Sequence, residues 1–300
     1  MKAVRFSRFG GPEVLEIVDL PKPRAGDGEV RITVRAAGVN ASDWKKRQGL
    51  LDQELPQTLG YEAAGVVDQV GSGVTDVAVG DRVFGASPYG AAQAESAVLS
   101  LWAPMPAKFD FAACAAIPAA SETAARALDQ LGVRAGNLVL VNGASGSVGS
   151  AAVQLAVRRG ARVIGTGNPA SLDFLRSLGA EAVAYGQGLT GRVRAVAPSG
   201  VDLALDVAGN GILPALIELT GAADRVITVA DVEGAQRTGV RFSRGDSGRA
   251  TYALALVAEL AATEEFSVRV GGTFALADVA QAHRAGESGS VRGKLVLLVD

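Results

Sequence analysis

The sequence predicts an α/β protein built from a β-rich, barrel-like domain and a doubly wound parallel sheet. Three observations carry this. Residues 1–115 hold short β-like runs separated by Gly, Pro and Asp. From about residue 117 to 240, short apolar runs alternate with helical segments. Beyond residue 255 the texture turns β-rich again. The expected domains are 1–115 and 116–254, with 255–300 returning to the first if the last strand pairs back onto it.

In the first stretch, Val30-Arg31-Ile32-Thr33-Val34 alternates apolar and polar side chains, the period of a half-buried strand. Ala63-Ala64-Gly65-Val66-Val67 and Asp81-Arg82-Val83-Phe84-Gly85 read as further strands, with Gly71-Ser72-Gly73 and Val79-Gly80-Asp81 as turns. In the middle stretch, 138–141, 162–166, 181–185, 201–206 and 225–230 read as strands, and 171–178 and 212–219 as helices between them. Tyr252, Leu254, Leu256, Val257 and Leu260 fall at helical spacing. In the tail, 267–270 and 294–299 read as strands around a helix at 276–286.

Composition excludes several classes. Hydrophobic residues make up 48% of the chain and charged ones 20%, enough for a sizeable core and too apolar for disorder. The net charge is −2 with no basic block, so no nucleic-acid partner is expected. No apolar run reaches the roughly 18 residues of a membrane span. The amino terminus, Met1-Lys2-Ala3-Val4-Arg5-Phe6, reads as a strand rather than a signal peptide, so a cytoplasmic protein without a membrane partner is expected. A single cysteine, Cys114, excludes an intrachain disulfide. With one histidine, His283, it cannot supply the three or four ligands of a Cys/His zinc site. No clustered carboxylates suggest another metal, so none is expected.

The most chemically specific segment runs Leu138-Val139-Leu140-Val141-Asn142-Gly143-Ala144-Ser145-Gly146-Ser147-Val148-Gly149. An apolar strand breaks into small residues and then opens a helix faced by Ala151, Ala152, Val153, Leu155 and Ala156. Small residues let a pyrophosphate approach the backbone, and the helix's first N–H groups can meet it. In the fingerprint G-x-G-x-x-G, the three places hold Ala144, Gly146 and Gly149. Any tight strand-to-helix turn favours glycine; the run at 162–166, at βαβ distance, favours a dinucleotide. An NAD-type site places an acid about 20 residues beyond the turn, on the ribose 2′-hydroxyl. Here Thr166-Gly167-Asn168-Pro169-Ala170-Ser171 holds no acid to repel a 2′-phosphate and no Lys or Arg to clamp one. Neutral hydrogen bonds from Asn168, Ser171 and Tyr185 would serve, and NADPH is the expected cofactor. Asp173 suits the positive end of the next helix instead.

Five ordered motifs now resemble the medium-chain dehydrogenase/reductase superfamily, and within it the zinc-free quinone oxidoreductase branch. They are Ala36-Ala37-Gly38-Val39-Asn40-Ala41-Ser42-Asp43, Gly60-Tyr61-Glu62-Ala63-Ala64-Gly65-Val66-Val67, Val79-Gly80-Asp81-Arg82-Val83, the turn from Gly143 to Gly149, and Arg292-Gly293-Lys294. The resemblance spans nearly the whole chain and implies a GroES-like catalytic domain and a Rossmann domain. It implies that Ser145, Gly146, Ser147, Val148 and Gly149 carry the pyrophosphate, and that Thr123 lies near the nicotinamide. Asn168, Ser171 and Tyr185 would form the adenosine-phosphate pocket. Val229 and Ala230 would end a strand beside the nicotinamide, with Gly293 and Lys294 closing over it. Asn40, Asp43 and Arg47 match the cleft-facing motif of the first domain. A homodimer is implied, paired through sheet edges, with 238–243 the candidate edge strand. The superfamily's zinc alcohol dehydrogenases carry a metal-binding Cys at the place of Asn40, a His at that of Tyr61, and a four-cysteine lobe with no counterpart between Gly85 and Trp102. Three departures stand out. The basic residue often found near the 2′-phosphate is missing. Leu50 and Leu51 follow Arg47-Gln48-Gly49 where a tyrosine is common, and alanine follows Thr123 where the family often has tyrosine.

The expected reaction is hydride transfer from NADPH to a small-molecule quinone or enone, with Asn40, Asp43 and Tyr61 the candidate catalytic residues. The developing oxyanion needs a donor, which Asn40, Tyr61 or backbone N–H groups can provide. Each residue also has a purely structural reading. Asn40 and Ser42 suit the cap of a short helix at 43–48. Tyr61 suits the core, Arg47 a solvated charge or a partner of Asp43, and His283 a surface or half-buried helix face. Cys114 suits a small buried apolar site. Two other functions stay open: a dedicated enone reductase of a polyketide-type pathway, and an NADPH-binding protein without turnover.

Overall fold

A computed structural model describes residues 1–245 and 248–300 of the chain. The chain forms two compact units, one of Met1–Ala119 with Leu254–Asp300 and one of Ala120–Ala253.

The first unit begins with β1 (Lys2–Phe6), β2 (Glu16–Asp19), β3 (Val30–Val39), the helix α1 (Ala41–Arg47), β4 (Gln57–Thr58), β5 (Glu62–Val70), β6 (Arg82–Ala86), β7 (Ser96–Leu99), β8 (Leu101–Pro104) and α2 (Phe111–Ala115). Its spine is β3, whose apolar residues Val30, Ile32 and Val34 are buried while Arg31 and Thr33 alternate with them, as the sequence period requires. β3 pairs antiparallel with β5 and with β7, and β5 continues through β6 to β8. β1 forms a separate sheet with β2 and β4.

The second unit is the parallel one. After α3 (Pro118–Leu131) come β9 (Leu138–Asn142), α4 (Ser147–Arg158), β10 (Arg162–Gly167), α5 (Leu172–Ser177), β11 (Glu181–Ala184), α6 (Leu189–Val196), β12 (Leu203–Asp206), α7 (Leu213–Thr220), β13 (Val226–Thr228), α8 (Val232–Thr238) and β14 (Arg241–Phe242). All pairs are parallel, in the order β11-β10-β9-β12-β13-β14. That order reverses direction between β9 and β12, the switch point where ligands bind in doubly wound sheets. Leu140, Ile164, Val193, Ala204, Leu213 and Leu216 are buried in one cluster between the sheet and its helices.

The helix α9 (Tyr252–Ala262) leads into the return segment, β15 (Val270–Ala275), α10 (Val279–Glu287) and β16 (Lys294–Leu298). β16 pairs antiparallel with β3, so the carboxyl-terminal strand joins the sheet built by the amino-terminal residues.

Two expected strands differ from the structure. The run at 238–243 reduces to β14, because the Asp231 carboxylate accepts the Gly234 N–H and carries α8 through Thr238. The strand expected at 267–270 begins at Val270 and runs on to Ala275. Gly271 and Gly272, which carry no side chain to show alternation, hid it, and the register shifts there.

Candidate active site

In the second unit the fingerprint turn divides its glycines by purpose. Gly143 has φ +80°, and a Cβ there would lie 2.8 Å from that of Ala208. A Cβ on Gly149 would lie 2.2 Å from the Gly143 carbonyl oxygen, so this glycine lets α4 pack against the turn. Gly146 differs. Its φ of −77° and ψ of 176° suit any residue, and a Cβ there would meet only the Gly143 oxygen, at 3.5 Å. The fold has no need of glycine at that point, whereas a ligand lying on the backbone does. Gly146 is also the N-cap of α4, and no side chain caps the first turn, where the N–H groups of Ser147, Val148 and Gly149 begin the helix.

A buried polar chain holds the loops around this turn. The Asn142 amide donates to Asp206 Oδ1 (2.9 Å), and Thr166 Oγ1 donates to Asn142 Oδ1 (2.8 Å). Thr228 Oγ1 donates to Asp206 Oδ2 (2.7 Å). Asn142, Asp206 and Thr228 end β9, β12 and β13, Thr166 is the last residue but one of β10, and three of the four take backbone N–H groups of nearby loops: Gly143 on Thr166, Ala208 and Gly209 on Asp206, Ala230 and Asp231 on Thr228. The sequence reading passed over them. Their signal was one polar residue closing each apolar run.

Beyond β10, Ser171 Oγ donates to Asn168 Oδ1 (2.8 Å), so these two share one short turn. Tyr185 is exposed, and its N–H donates to the Gly167 carbonyl (3.0 Å), which sets it next to that turn. Arg192 donates to the carbonyls of Ala184, Tyr185, Gly186 and Gln187, so a guanidinium not foreseen from the sequence lies along this loop. Asp173 pairs with Arg176 in the first turn of α5. Thr123 lies on α3, while Val229 and Ala230 follow β13.

In the first unit, β3 runs straight into α1 through Asn40. The Asn40 N–H donates to Asp43 Oδ2 (2.8 Å), the reciprocal arm of a capping box. Asp43 also accepts from Gln93 Nε2 (3.2 Å) and the Gly60 N–H (3.3 Å). It is wholly buried, and burial pushes its carboxyl up to about 6 against the pull of the Asn40 N–H and the Lys294 charge. Beside it lies a group that the sequence reading did not assemble. Glu62 accepts the Lys294 ammonium, Asn40 Nδ2 (3.0 Å) and the Ala119 N–H (2.6 Å). Lys294 also donates to Asn40 Oδ1. A Cβ on Gly38 would lie 2.3 Å from Glu62 Oε1, so the glycine of the first motif makes room for the carboxylate. Gly293, at φ +118°, brings the chain against the Arg269 carbonyl just before Lys294. Tyr61 is half-buried, with Lys46 Nζ 5.9 Å from its ring centre.

Asn40, Asp43 and Lys294 are thus brought together with Glu62 and Gln93. Arg47 is neither solvated nor paired with Asp43. It is buried, and its guanidinium donates to Glu287 and to the Gly10 carbonyl, because α10 packs beside α1. His283 is likewise fully buried on α10, with its ring edge-on to Trp44 at 6.2 Å. Cys114 is buried in α2. Among the described residues, no three His, Cys, Asp or Glu side chains converge where they could hold a metal ion.

The chain matches two family models, the alcohol dehydrogenase GroES-like domain over residues 26–103 and the zinc-binding dehydrogenase domain over 178–297. It is 33% identical to a quinone oxidoreductase of Sus scrofa, over all of this chain and 98% of that protein. It is 37% identical to a spectinabilin polyketide synthase system protein of Streptomyces orinoci, over 81% of this chain but only 12% of that much longer protein. A mycobacterial protein solved in complex with NADPH superposes with a TM-score of 0.84 at 30% identity, over 99% of each chain.

Proposed function

Since the chain belongs to the quinone oxidoreductase branch of the medium-chain dehydrogenase/reductase superfamily and is an oxidoreductase, we propose that it reduces quinones or α,β-unsaturated carbonyls with NADPH and without a metal. The carrying observation is Gly146, a glycine required by no neighbour at the uncapped start of a helix on the sheet's switch point. The backbone there fits a pyrophosphate: Gly146 lets it approach, its own N–H being held by the Gly143 carbonyl, while Ser147, Val148 and Gly149 offer N–H groups and Ser145 lines the turn. NADPH, when bound, supplies the hydride. Thr123, Val229 and Ala230 would line the nicotinamide end.

The preference for the phosphorylated coenzyme rests on the loop chemistry. Asn168, Ser171 and Tyr185 are polar and uncharged, and Arg192 adds a cation along the Tyr185 loop. Similarity to a mycobacterial protein that binds NADPH supports the same choice. The metal-free reading is supported by the donors present: one buried cysteine, one buried histidine, and Asn40 and Tyr61 in the motif positions nearest the first-unit cluster. In that cluster the Asn40 carboxamide is the neutral N–H donor suited to an oxyanion that develops on the substrate. Tyr61, with a hydroxyl in the next motif, is the other candidate donor, and Asp43 holds the Asn40 backbone.

The test is a titration of NADPH and NADH by coenzyme fluorescence, followed by NADPH oxidation over a panel of quinones and enones. Tight NADPH binding and turnover of simple quinones support the proposal. Binding without any oxidation supports a non-catalytic role, and binding of neither coenzyme refutes it. The likeness to a polyketide synthase system protein favours, as a second reading, a dedicated biosynthetic enone reductase. Slow turnover of quinones with fast turnover of an acyl thioester enone selects it. We further propose a homodimer through the β14 edge of the parallel sheet, which light scattering checks.

A further inference from the structure

We infer that Glu62 and Lys294 are positioning residues that fix the polarity of the Asn40 carboxamide, so that it presents an N–H and not its carbonyl to the substrate oxygen. The role of that N–H rests on the reductase reading above, but the orientation itself does not.

A carboxamide's two ends are nearly the same shape, and partners alone decide which way it points. Here the partners are a full positive and a full negative charge. Asn40 Oδ1 accepts the Lys294 ammonium, and one hydrogen of Nδ2 goes to Glu62 Oε1 at 3.0 Å. Turning the amide over would set its NH2 against the ammonium and its carbonyl against the carboxylate, both repulsive where water cannot screen them. Glu62 is itself held, since Oε2 accepts the Ala119 N–H at 2.6 Å and Gly38 leaves the space it fills. Glu62 is 0% and Lys294 2% exposed, while Asn40 is only half-buried. The two charges thus take one Oδ1 acceptor site and one Nδ2 hydrogen, and leave the second Nδ2 hydrogen as the amide's remaining donor. The Lys294 charge on the carbonyl also polarises the amide and strengthens that donor.

The test uses the full-length protein and the variants Lys294→Met, Lys294→Arg and Glu62→Gln, with near-UV circular dichroism as the fold control. The first readout needs no turnover: the two side-chain N–H resonances of Asn40, identified by their loss in Asn40→Ser. The second is kcat at saturating NADPH, with KM for NADPH alongside. Both Glu62→Gln and Lys294→Met should move the Asn40 resonances. Lys294→Met should lower kcat about tenfold, less than the roughly hundredfold or more that follows outright removal of an oxyanion donor, and Glu62→Gln should lower kcat with KM for NADPH unchanged. Lys294→Arg should restore part of the loss. Unmoved resonances overturn the assigned polarity. Moved resonances with kcat intact overturn the positioning role. If the unmodified protein turns over no quinone or enone, the reductase reading fails, while the resonances still report whether the two charges hold the amide. If Lys294→Met does not fold, the isosteric Glu62→Gln carries both readouts.

Discussion

The Lys294 ammonium rests on the Glu62 carboxylate with both side chains shielded from water. Removing either partner strands the other charge in a site that cannot hydrate it, a loss of about 3–5 kcal/mol. Removing both charges avoids that cost. Urea unfolding of Lys294→Met, Glu62→Gln and the double variant should therefore show the double variant losing clearly less than the sum of the singles. Simple additivity would mean that the two charges do not interact.

The turn glycines give a paired prediction. Gly149→Ala places a Cβ 2.2 Å from a backbone oxygen that cannot yield cheaply, so Tm falls. Gly146→Ala meets nothing closer than 3.5 Å, so Tm holds. Its methyl group projects where the pyrophosphate is proposed to lie, and the Kd for NADPH should rise about tenfold or more, the scale of a lost close contact of 1–2 kcal/mol. Calorimetry that finds unaltered coenzyme affinity in Gly146→Ala would sink this placement.

What the sequence revealed and what it concealed divide along physical lines. The parallel sheet was legible because four of its six strands, β9 to β12, are mostly apolar runs of four to six residues bounded by helical periodicity, and the turn from Gly143 to Gly149 was legible from its small residues. The inward charges were not. Glu62 sits in a quoted motif, yet nothing about a glutamate beside a tyrosine says that it faces the interior, and its partner Lys294 lies 232 residues away, on β16. Arg47 reads from the sequence as a solvated charge or a partner of Asp43, and His283 as lying on a surface or half-buried helix face, because Arg and His are seldom fully buried. Their burial follows from the packing of α10 against α1, a long-range contact that leaves no local pattern.

Asp43 makes stability depend on pH in the direction opposite to most carboxylates. Its folded pKa, pushed up to about 6 by burial, lies above the unfolded value of 3.8. The stability it contributes is present below about pH 3.8 and is lost as pH rises through 6. Asp43→Asn removes the titration at a fixed cost in hydrogen bonds. The stability difference between the native protein and Asp43→Asn should therefore shift in the variant's favour between pH 4 and pH 7, as measured by denaturant unfolding at both. A difference independent of pH would place the ionised carboxylate in a site that suits it.

Cys114 should be inert. Burial first, and the Asp110 carboxylate second, push its thiol up to about 12, so almost no thiolate exists at pH 8. A chromogenic disulfide reagent should modify it only as fast as the protein opens, and at once in urea. Rapid labelling of the native protein would show that α2 leaves the thiol within reach of solvent.

His283 adds an acid-sensitive term of the opposite sign. The imidazole is fully buried on α10, and neither ring nitrogen has a hydrogen-bond partner among the described residues. Burial, assisted by the nearby Arg47 charge, holds its pKa down at about 3, against an ordinary value of 6.5. The neutral ring is thus the folded form, and its contribution is present above pH 6.5 and lost as pH falls toward 3, because the unfolded chain takes up the proton first. Phenylalanine has nearly the same outline, can keep the edge-on contact with Trp44, and leaves no unpaired nitrogen in the core. His283→Phe should match or exceed the native protein in stability at pH 7. Its advantage should widen as pH falls from 6.5 to 4.5, read from guanidinium unfolding midpoints at both ends. Parallel pH profiles for the two proteins would mean that the imidazole keeps its ordinary affinity for a proton inside the fold, which its dry surroundings and the adjacent guanidinium both oppose.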